Sequence, residues 1–271
     1  MAMYKFPERL DKLRILISND DGVSAPGIKI MQRIAKEISS DVWICAPMTE
    51  QSGSGHSLSL REPLWLKKIS SRRYAVEGTP SDSVLMGIHQ LLKKHKPDIV
   101  LSGVNRGSNL GEFVSYSGTC AAAMEATLLG VPAIAVSQQI NIQKKDVPWS
   151  TSEFYIPNIL RGLLRKGWPK RTFINVNLPN LEPNDVKGIE VTSMGQRNMG
   201  DSLVEQVHPL GGRYYWIGSL PEQQPGKKGT DISAVENGKI SVTPIDLDFT
   251  NYSAMKSLAA IFNQKTYDNT G

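Results

Sequence analysis

The sequence predicts an α/β protein with a Rossmann-like, doubly wound and mainly parallel sheet. A short β-branched run at residues 14–18 is followed by apolar residues at helical spacing over 26–39. The alternation recurs further on, where strand-like runs at 98–102 and 132–137 flank a stretch of strong helix formers at 119–129. Strands that alternate with helices build a parallel sheet with helices on both faces, and such sheets bind ligands beyond the carboxyl ends of their strands.

Between these units the sequence predicts further strands and one capped helix. Residues 41–46 have the composition of a buried strand, and 58–67 and 73–76 show the polar alternation of antiparallel or edge strands. Thr79 is a candidate N-cap, with Pro80 at the first helical position and an acidic residue near the capping-box position. We expect this helix to reach about residue 95.

The pattern changes near residue 184. Short β-like pieces follow, separated by clusters of glycine and proline, and a last helix is predicted over 253–262. We therefore divide the chain into an N-terminal extension (1–12), an α/β catalytic core (13–183) and a β-rich arm with a C-terminal helix (184–271).

Composition excludes several classes of protein. The 271 residues are 40% hydrophobic and 21% charged, which is ordinary for a globular chain and excludes disorder as the main state. The net charge of +5 is compatible with anionic partners but does not distinguish phosphate metabolites, nucleic acid and anionic lipid. Cys45 and Cys120 are too few for a disulfide scaffold, so we expect reduced thiols. The start lacks the apolar segment of a signal peptide, and no apolar run approaches a membrane span, so the expected location is the cytoplasm.

The most informative residues are Asp20 and Asp21, which directly follow the first predicted strand in the sequence Ser-Asn-Asp-Asp-Gly. Two neighbouring carboxylates repel each other, and a divalent cation allows both to ionise in one cleft. Oxygen ligands suit Mg²⁺, Mn²⁺ or Ca²⁺ rather than zinc. The alternative is an Asx-rich turn before the next helix, because Asn, Asp and Gly favour turns for local reasons.

Three other segments are predicted to reach the same edge of the sheet. Residues 47–57 offer serine hydroxyls, including that of Ser52, together with two glycines that let the backbone approach a ligand. Residues 103–111 carry Asn105, Arg106 and Asn109. Residues 115–119 place small hydroxyls and free backbone N–H groups at a helix N-terminus, which is a ready anion site. Each has a simpler interpretation, respectively a flexible linker, turn chemistry and a Ser/Thr N-cap.

Other catalytic motifs do not fit. Neither a P-loop nor a dinucleotide-binding glycine pattern occurs in the right context, and the four histidines form no H-E-x-x-H motif. A haloacid-dehalogenase-like phosphatase would need Asp-x-Asp after its first strand, whereas the two aspartates here are contiguous.

Taken together, the motifs resemble those of the SurE survival-protein family of 5'-nucleotidases. They occur in order along most of the chain from about Leu13, and the combination is far more specific than any single motif. The matching stretches are 15–22, 25–27, 46–47, 51–53, 78–80, 102–107, 109–111, 116–119, 229–231 and 241–244.

The resemblance implies a metal-dependent phosphatase for nucleoside 5'-monophosphates, with 3'-nucleotides and short polyphosphate as further substrates in some members. It also implies one Mg²⁺ or Mn²⁺ per subunit and a homo-oligomer, a dimer or tetramer that exchanges its C-terminal β-arm and helix. Carried over residue by residue, the site falls into three overlapping groups. The metal ligands are Asp20, Asp21, Ser52 and Asn105; the phosphate side is Asn109, Ser117, Gly118 and Thr119; the catalytic residues are Asp20, Asp21 and Asn109.

The mechanism we expect is phosphomonoester hydrolysis, with Asp20 nearest the chemistry as metal ligand and proton acceptor. The sequence does not choose between direct attack by water and an aspartyl-phosphate intermediate. The alternative function is a non-catalytic nucleotide-binding or nucleic-acid-binding protein. Stable nucleic-acid binding is disfavoured, because the chain has no aromatic RNA-binding motif and no concentrated Lys/Arg stripe.

Overall fold

The computed structural model of the protein describes residues 2–141, 147–197, 203–217 and 224–263. Within them, the strands and helices are distributed along the whole chain. The strands are β1 (Arg14–Ser18), β2 (Asp41–Pro47), β3 (Trp65–Ser70), β4 (Arg73–Glu77), β5 (Ile99–Arg106), β6 (Ala133–Gln138), β7 (Thr172–Leu178), β8 (Ile189–Val191), β9 (Leu203–Val207), β10 (Arg213–Ile217) and β11 (Ile240–Asp246). The helices are α1 (Pro26–Lys36), α2 (Pro80–Met86), α3 (Gly118–Leu128), α4 (Trp149–Lys166), α5 (Asp231–Glu236) and α6 (Tyr252–Asn263).

The predicted α/β fold is confirmed. Nine strands form one sheet in the order β3-β4-β2-β1-β5-β6-β7-β11-β8, in which only the β3–β4 and β7–β11 pairs are antiparallel among the described residues. Strand β1 lies between β2 and β5 and is parallel to both. The direction of strand addition reverses there, so β1 and β5 flank the topological switch point at which open α/β sheets bind ligands.

The sheet is covered on both faces because successive strand residues point to opposite sides. Ile15 and Ile17 belong to the core cluster that contains the apolar residues of α1 and α4. Leu16 belongs to the opposite cluster, with residues of α2 and α3. The small side chains of α3, such as Ala122 and Ala126, are fully buried and bring this helix close to the sheet.

The start of α2 is as predicted, but its end is not. The Thr79 hydroxyl accepts from the Asp82 N–H, and the Asp82 side chain accepts from the Thr79 N–H, which completes a capping box. The α-helix ends at Met86, and a π-helical turn over Gly87–Leu91 replaces the predicted run to residue 95. Gly87 approaches the sheet closely, since a Cβ there would lie 2.7 Å from Leu16 Cδ2.

One other prediction from local pattern needs correction, and one helix was missed. The strand expected over 58–67 begins only at Trp65, because the chain before it is drawn to α2: the Ser59 N–H and hydroxyl both donate to Asp82. Helix α4 was not predicted at all; it contains Pro157 in its interior, which argues against a helix when only the sequence is considered.

The chain after residue 184 contributes to two different structures. Strands β8 and β11 extend the central sheet, with β11 antiparallel to β7, and α5 packs against it. By contrast, β9 and β10 pair with each other as a separate antiparallel hairpin. The predicted boundary at 184 stays a prediction, and parts of the predicted arm at 198–202, 218–223 and 264–271 lie outside the described residues.

The N-terminal segment lies against the core. The Tyr4 N–H donates to the Trp168 carbonyl at 2.8 Å, and the Lys170 N–H donates to the Ala2 carbonyl at 2.8 Å. The buried Tyr4 ring also meets Trp168 edge-on, with 6.0 Å between ring centroids. None of the helices in the described part of the chain is both long and apolar enough to cross a membrane.

The contact of α1 with β5 yields a stability prediction. A Cβ on Gly27 would lie 1.8 Å from the Val104 carbonyl oxygen, a backbone atom that cannot move aside cheaply. Gly27→Ala should therefore destabilise the protein by about 1–3 kcal/mol or more, as measured by urea unfolding.

Gly162 in α4 is the matched control, because a Cβ there meets nothing within 4 Å. Gly162→Ala should stabilise by about 0.5–1 kcal/mol, since alanine is the better helix former. Equal effects of the two substitutions would contradict this account of the α1–β5 contact.

Candidate active site

The end of β1 carries the two predicted carboxylates in a tight turn. The Asn19 side chain donates from Nδ2 to the Gly22 carbonyl at 2.9 Å and closes the turn of Asn, Asp and Gly that was predicted as the alternative. Asn19 Oδ1 has no hydrogen-bond partner among the described residues, so the side-chain oxygen does not form an Asx turn. Gly22 has φ = +98°, and a Cβ there would lie 3.2 Å from the Thr49 carbonyl carbon. The turn thus brings the end of β1 against the loop after β2. It shapes the site and does not exclude cation binding.

Hydrogen bonds join Asp20 and Asp21 to three other segments. The Gln51 N–H donates to the Asp20 carbonyl at 2.8 Å, which fixes the loop after β2. The Arg106 N–H donates to Asp21 Oδ2 at 3.2 Å, which fixes the end of β5. The Thr119 hydroxyl donates to Asp20 Oδ1 at 2.5 Å, which fixes the start of α3. The structure therefore assembles all four predicted segments around one pair of carboxyl groups.

The N-terminus of α3 approaches Asp20 closely. A Cβ on Gly118 would lie 2.7 Å from Asp20 Cβ and 3.0 Å from Pro80 Cγ. The position therefore needs glycine for lack of space. The hydroxyl of Ser117 caps the helix by accepting from the Cys120 N–H at 3.0 Å. The simple N-cap predicted as the alternative is thus present, and it orients the helix end toward the carboxylates.

Burial governs the charge of the two aspartates. Asp20 is 4% exposed, and this desolvation raises the pKa of its carboxyl group, although hydrogen bonds from Thr119 act in the opposite direction. Desolvation, followed by the charge of neighbouring Asp20, raises the pKa of Asp21 to about 6. The site disfavours two ionised carboxylates unless positive charge is supplied.

The two other predicted metal ligands lie on the joined segments. Asn105 is buried and donates from Nδ2 to the Gly107 carbonyl at 2.9 Å, which leaves Oδ1 as its ligand atom for a cation. Ser52 is exposed, and its hydroxyl donates to Glu50 Oε1 at 2.9 Å. Among the described residues no group of three or more His, Cys, Asp and Glu has the arrangement of a metal site. The candidate set is instead two carboxylates, a hydroxyl and an amide, a set of oxygen ligands that suits Mg²⁺ or Mn²⁺.

Asn109 lies in a loop, but hydrogen bonds fix both its backbone and its side chain. Its N–H donates to Asn177 Oδ1 at 2.8 Å, and its Nδ2 donates to the Ser137 hydroxyl at 2.8 Å. Its carbonyl accepts from Asn175 and Asn177 side chains. Because an amide nitrogen carries two protons, one proton of Asn109 Nδ2 remains for another acceptor.

Sequence reasoning missed the residues that support the phosphate-side loop. Asn175 and Asn177 are fully buried on β7, and Asp231 is a fully buried carboxylate that accepts from the Gly111 and Gly195 N–H groups at 2.9 and 2.7 Å. The signal for the asparagines was present: two Asn residues alternate with apolar residues in an otherwise buried strand. Buried polar groups in such a strand need specific partners.

The fold and the site define an α/β protein with an oxygen-rich, carboxylate-centred site at the switch point of a mainly parallel sheet. A family model described as Survival protein SurE matches residues 15–201. Two similar curated proteins are named 5'-nucleotidase SurE. The protein of Paramagnetospirillum magneticum is 54% identical over 95% of this chain and 99% of its own length. That of Parvibaculum lavamentivorans is 47% identical over 91% and 90%.

The crystal structure of the SurE protein from Aquifex aeolicus is also similar, with a TM-score of 0.79 and 39% identity over 92% of this chain and 99% of that one. The chain belongs to the SurE family, which confirms the resemblance drawn from the motifs.

The raised pKa values predict how stability depends on pH in chelator-treated protein. Because Asp21 has a higher pKa folded than unfolded, the folded state binds more protons between about pH 4 and about pH 6. This contribution to stability is fully present below the unfolded pKa and is lost as pH rises through about 6. The free energy of unfolding should therefore fall between pH 4 and pH 7. Replacing Asp21 with Asn should make this fall smaller by on the order of 2 kcal/mol, as measured by urea unfolding.

Asp185→Asn is the control, since Asp185 is an exposed carboxylate in a short turn. It should leave the pH dependence as in the wild type. An Asp21→Asn profile parallel to that of the wild type would show that the folded site does not hold the proton.

Proposed function

We propose that this protein is a metal-dependent phosphomonoesterase that hydrolyses nucleoside 5'-monophosphates to nucleoside and phosphate. The observation that carries the proposal is the placement of Asp20 and Asp21 at the switch point, with the N-terminus of α3 directly against Asp20. The names of the similar curated proteins support the choice of nucleotide as substrate. The proposed side activities on 3'-nucleotides and short polyphosphate rest on the family resemblance.

The proposed cofactor is one Mg²⁺ or Mn²⁺ per subunit, held by Asp20, Asp21, Ser52 and Asn105. The fit is supported by the chemistry of these ligands and by the raised pKa of both carboxyl groups, which a neighbouring cation would reverse. When bound, such an ion neutralises charge on the phosphate and orients a water molecule.

The protein's own residues have three proposed tasks. Asp20 lies nearest the chemistry as ligand and proton acceptor, and the Thr119 hydroxyl holds it in place. Ser117, Gly118 and Thr119 lie at the start of α3, where N–H groups and the helix dipole favour an anion, so the proposed phosphate position is beside this helix end. The free amide proton of Asn109 can stabilise a phosphoryl oxygen as its charge grows.

A homo-oligomer, dimer or tetramer, is part of the proposal. The hairpin of β9 and β10 exposes a set of large apolar side chains, and α6 exposes others. On the hairpin these include Leu203, Val207, Tyr215, Trp216 and Ile217; on α6 they include Met255, Leu258 and Ile261. Apolar patches of this kind mark contact surfaces between proteins, which supports the proposed assembly. The proposed location is the cytoplasm.

Removal of the metal tests the reaction. Phosphate release from a panel of nucleoside 5'-monophosphates should disappear in a chelator and return when Mn²⁺ is restored. Without the cation the site lacks the positive charge that stabilises the transition state. The panel should include 3'-nucleotides, polyphosphate and nucleotide sugars. Full activity in the chelator would rule out the proposed mechanism.

Substitution of the central carboxylate tests the site. Asp20→Asn keeps the size of the side chain but removes the charge and the proton acceptor, so kcat should fall by about 100-fold or more. Asp185→Asn is the matched control and should retain wild-type activity. Steeply salt-dependent binding of DNA or RNA without phosphate release would instead favour the nucleic-acid-binding alternative.

A further inference from the structure

A buried carboxylate and a histidine near the site have no part in the proposed reaction. His56 lies in the loop after β2, and Glu125 lies in α3, two helical turns beyond Gly118. His56 Nε2 and Glu125 Oε2 are 2.7 Å apart. The Glu125 side chain is 7% exposed and that of His56 is 26% exposed, so the carboxylate is buried and the histidine is partly open to solvent.

Glu125 has a strong physical need for this partner. It is buried on a helix whose other inward residues, such as Ala122 and Ala126, are apolar and fully buried. A buried carboxylate without a hydrogen-bond donor or an opposite charge is strongly destabilising. Within the described ranges His56 is the one hydrogen-bond partner of the Glu125 side chain. Movement of the His56 side chain away from α3 would leave Glu125 without it, so the contact resists opening of the loop.

The loop is fixed at both ends, and Ser52 lies between the fixed points. At the near end the Gln51 N–H donates to the Asp20 carbonyl at 2.8 Å. At the far end the Gly55 N–H donates to the Tyr116 carbonyl at 3.1 Å, and His56 meets Glu125 directly after it. The path of the exposed Ser52 is therefore determined by contacts on either side rather than by its own burial.

We propose that His56 is a positioning residue: its contact with Glu125 latches the loop of residues 51–56 to α3 and thereby places the Ser52 hydroxyl at the metal site. This inference rests on the proposed function, because Ser52 is a proposed metal ligand. The same helix holds Asp20 through Thr119. With the latch closed, α3 sets the positions of ligands from two different loops.

The experiment compares three histidine variants of the full chain. His56→Leu removes the contact, and His56→Gln keeps a side-chain N–H donor for Glu125. His89→Leu is the matched control, because His89 is exposed on the turn after α2. Mn²⁺ affinity is measured by electron paramagnetic resonance on chelator-treated protein, hydrogen exchange of the 51–56 amides is followed by mass spectrometry, and kcat and KM are measured at saturating Mn²⁺.

The latch predicts that His56→Leu weakens Mn²⁺ binding by about 10-fold or more, as changes in supporting residues of metal sites do. Exchange of the 51–56 amides should accelerate, and kcat should recover at saturating Mn²⁺. His56→Gln should stay close to the wild type in all three measurements, and His89→Leu should match it.

A double variant separates positioning from loss of stability. His56→Leu combined with Glu125→Leu removes the unpaired buried charge, so the melting temperature should recover toward that of the wild type while Mn²⁺ affinity stays low. Recovery of Mn²⁺ affinity along with stability would overturn the latch, since the effect of His56 would then be on stability alone.

The remaining outcomes distinguish the latch from the proposed function. If Asp20→Asn abolishes Mn²⁺ binding but His56→Leu binds Mn²⁺ as the wild type does, only the latch is wrong. If the wild type binds no Mn²⁺, or Asp20→Asn binds it equally well, the proposed metal site is wrong and the latch is overturned with it.

Discussion

The packing of the first turn of α3 against Asp20 is the constraint on which the rest of the site depends. Asp20 is buried at the end of β1, accepts a hydrogen bond from Thr119, and lies so close to Gly118 that no side chain fits between helix and carboxylate. A buried carboxyl group with a raised pKa is unfavourable for stability in the charged form. The fold retains this carboxyl group beyond the carboxyl end of β1, at the switch point between β1 and β5, which is where such sheets bind ligands.

Helix α3 supports the site through contacts along its length. In its first turn Thr119 donates to Asp20, and the N-cap Ser117 orients the helix end toward the same carboxyl group. In its third turn Glu125 contacts His56 of the loop after β2. The small residues between these points let the helix lie close to the sheet. One packing arrangement therefore determines the geometry of segments far apart in sequence, and a change in the helix position would disturb all of them together.

The last part of the chain supports the phosphate side in a similar way. Strand β11 adds to the sheet beside β7, and Asp231 ties the segment at Gly111 to the segment at Gly195 through backbone hydrogen bonds. Asn177 on β7 then holds the backbone of Asn109. The proposed catalytic loop is thus supported by residues more than 60 positions later in the chain, although it follows β5 directly.

The sequence by itself determined the α/β class, the strands flanking the switch point and the capped start of α2, which follow from hydrophobic periodicity and capping residues. It also supplied the set of candidate ligands, through the resemblance of its motifs to the SurE family. Only the tertiary structure decided that Thr119 holds Asp20, that His56 meets Glu125, and that the chain before β3 is drawn to Asp82. Each of these contacts joins residues at least 23 positions apart, and one sequence carries no local signal for such a pairing. Burial raised the pKa of Asp20 and Asp21, and burial is a property of the packed sheet and helices rather than of the motif that contains them.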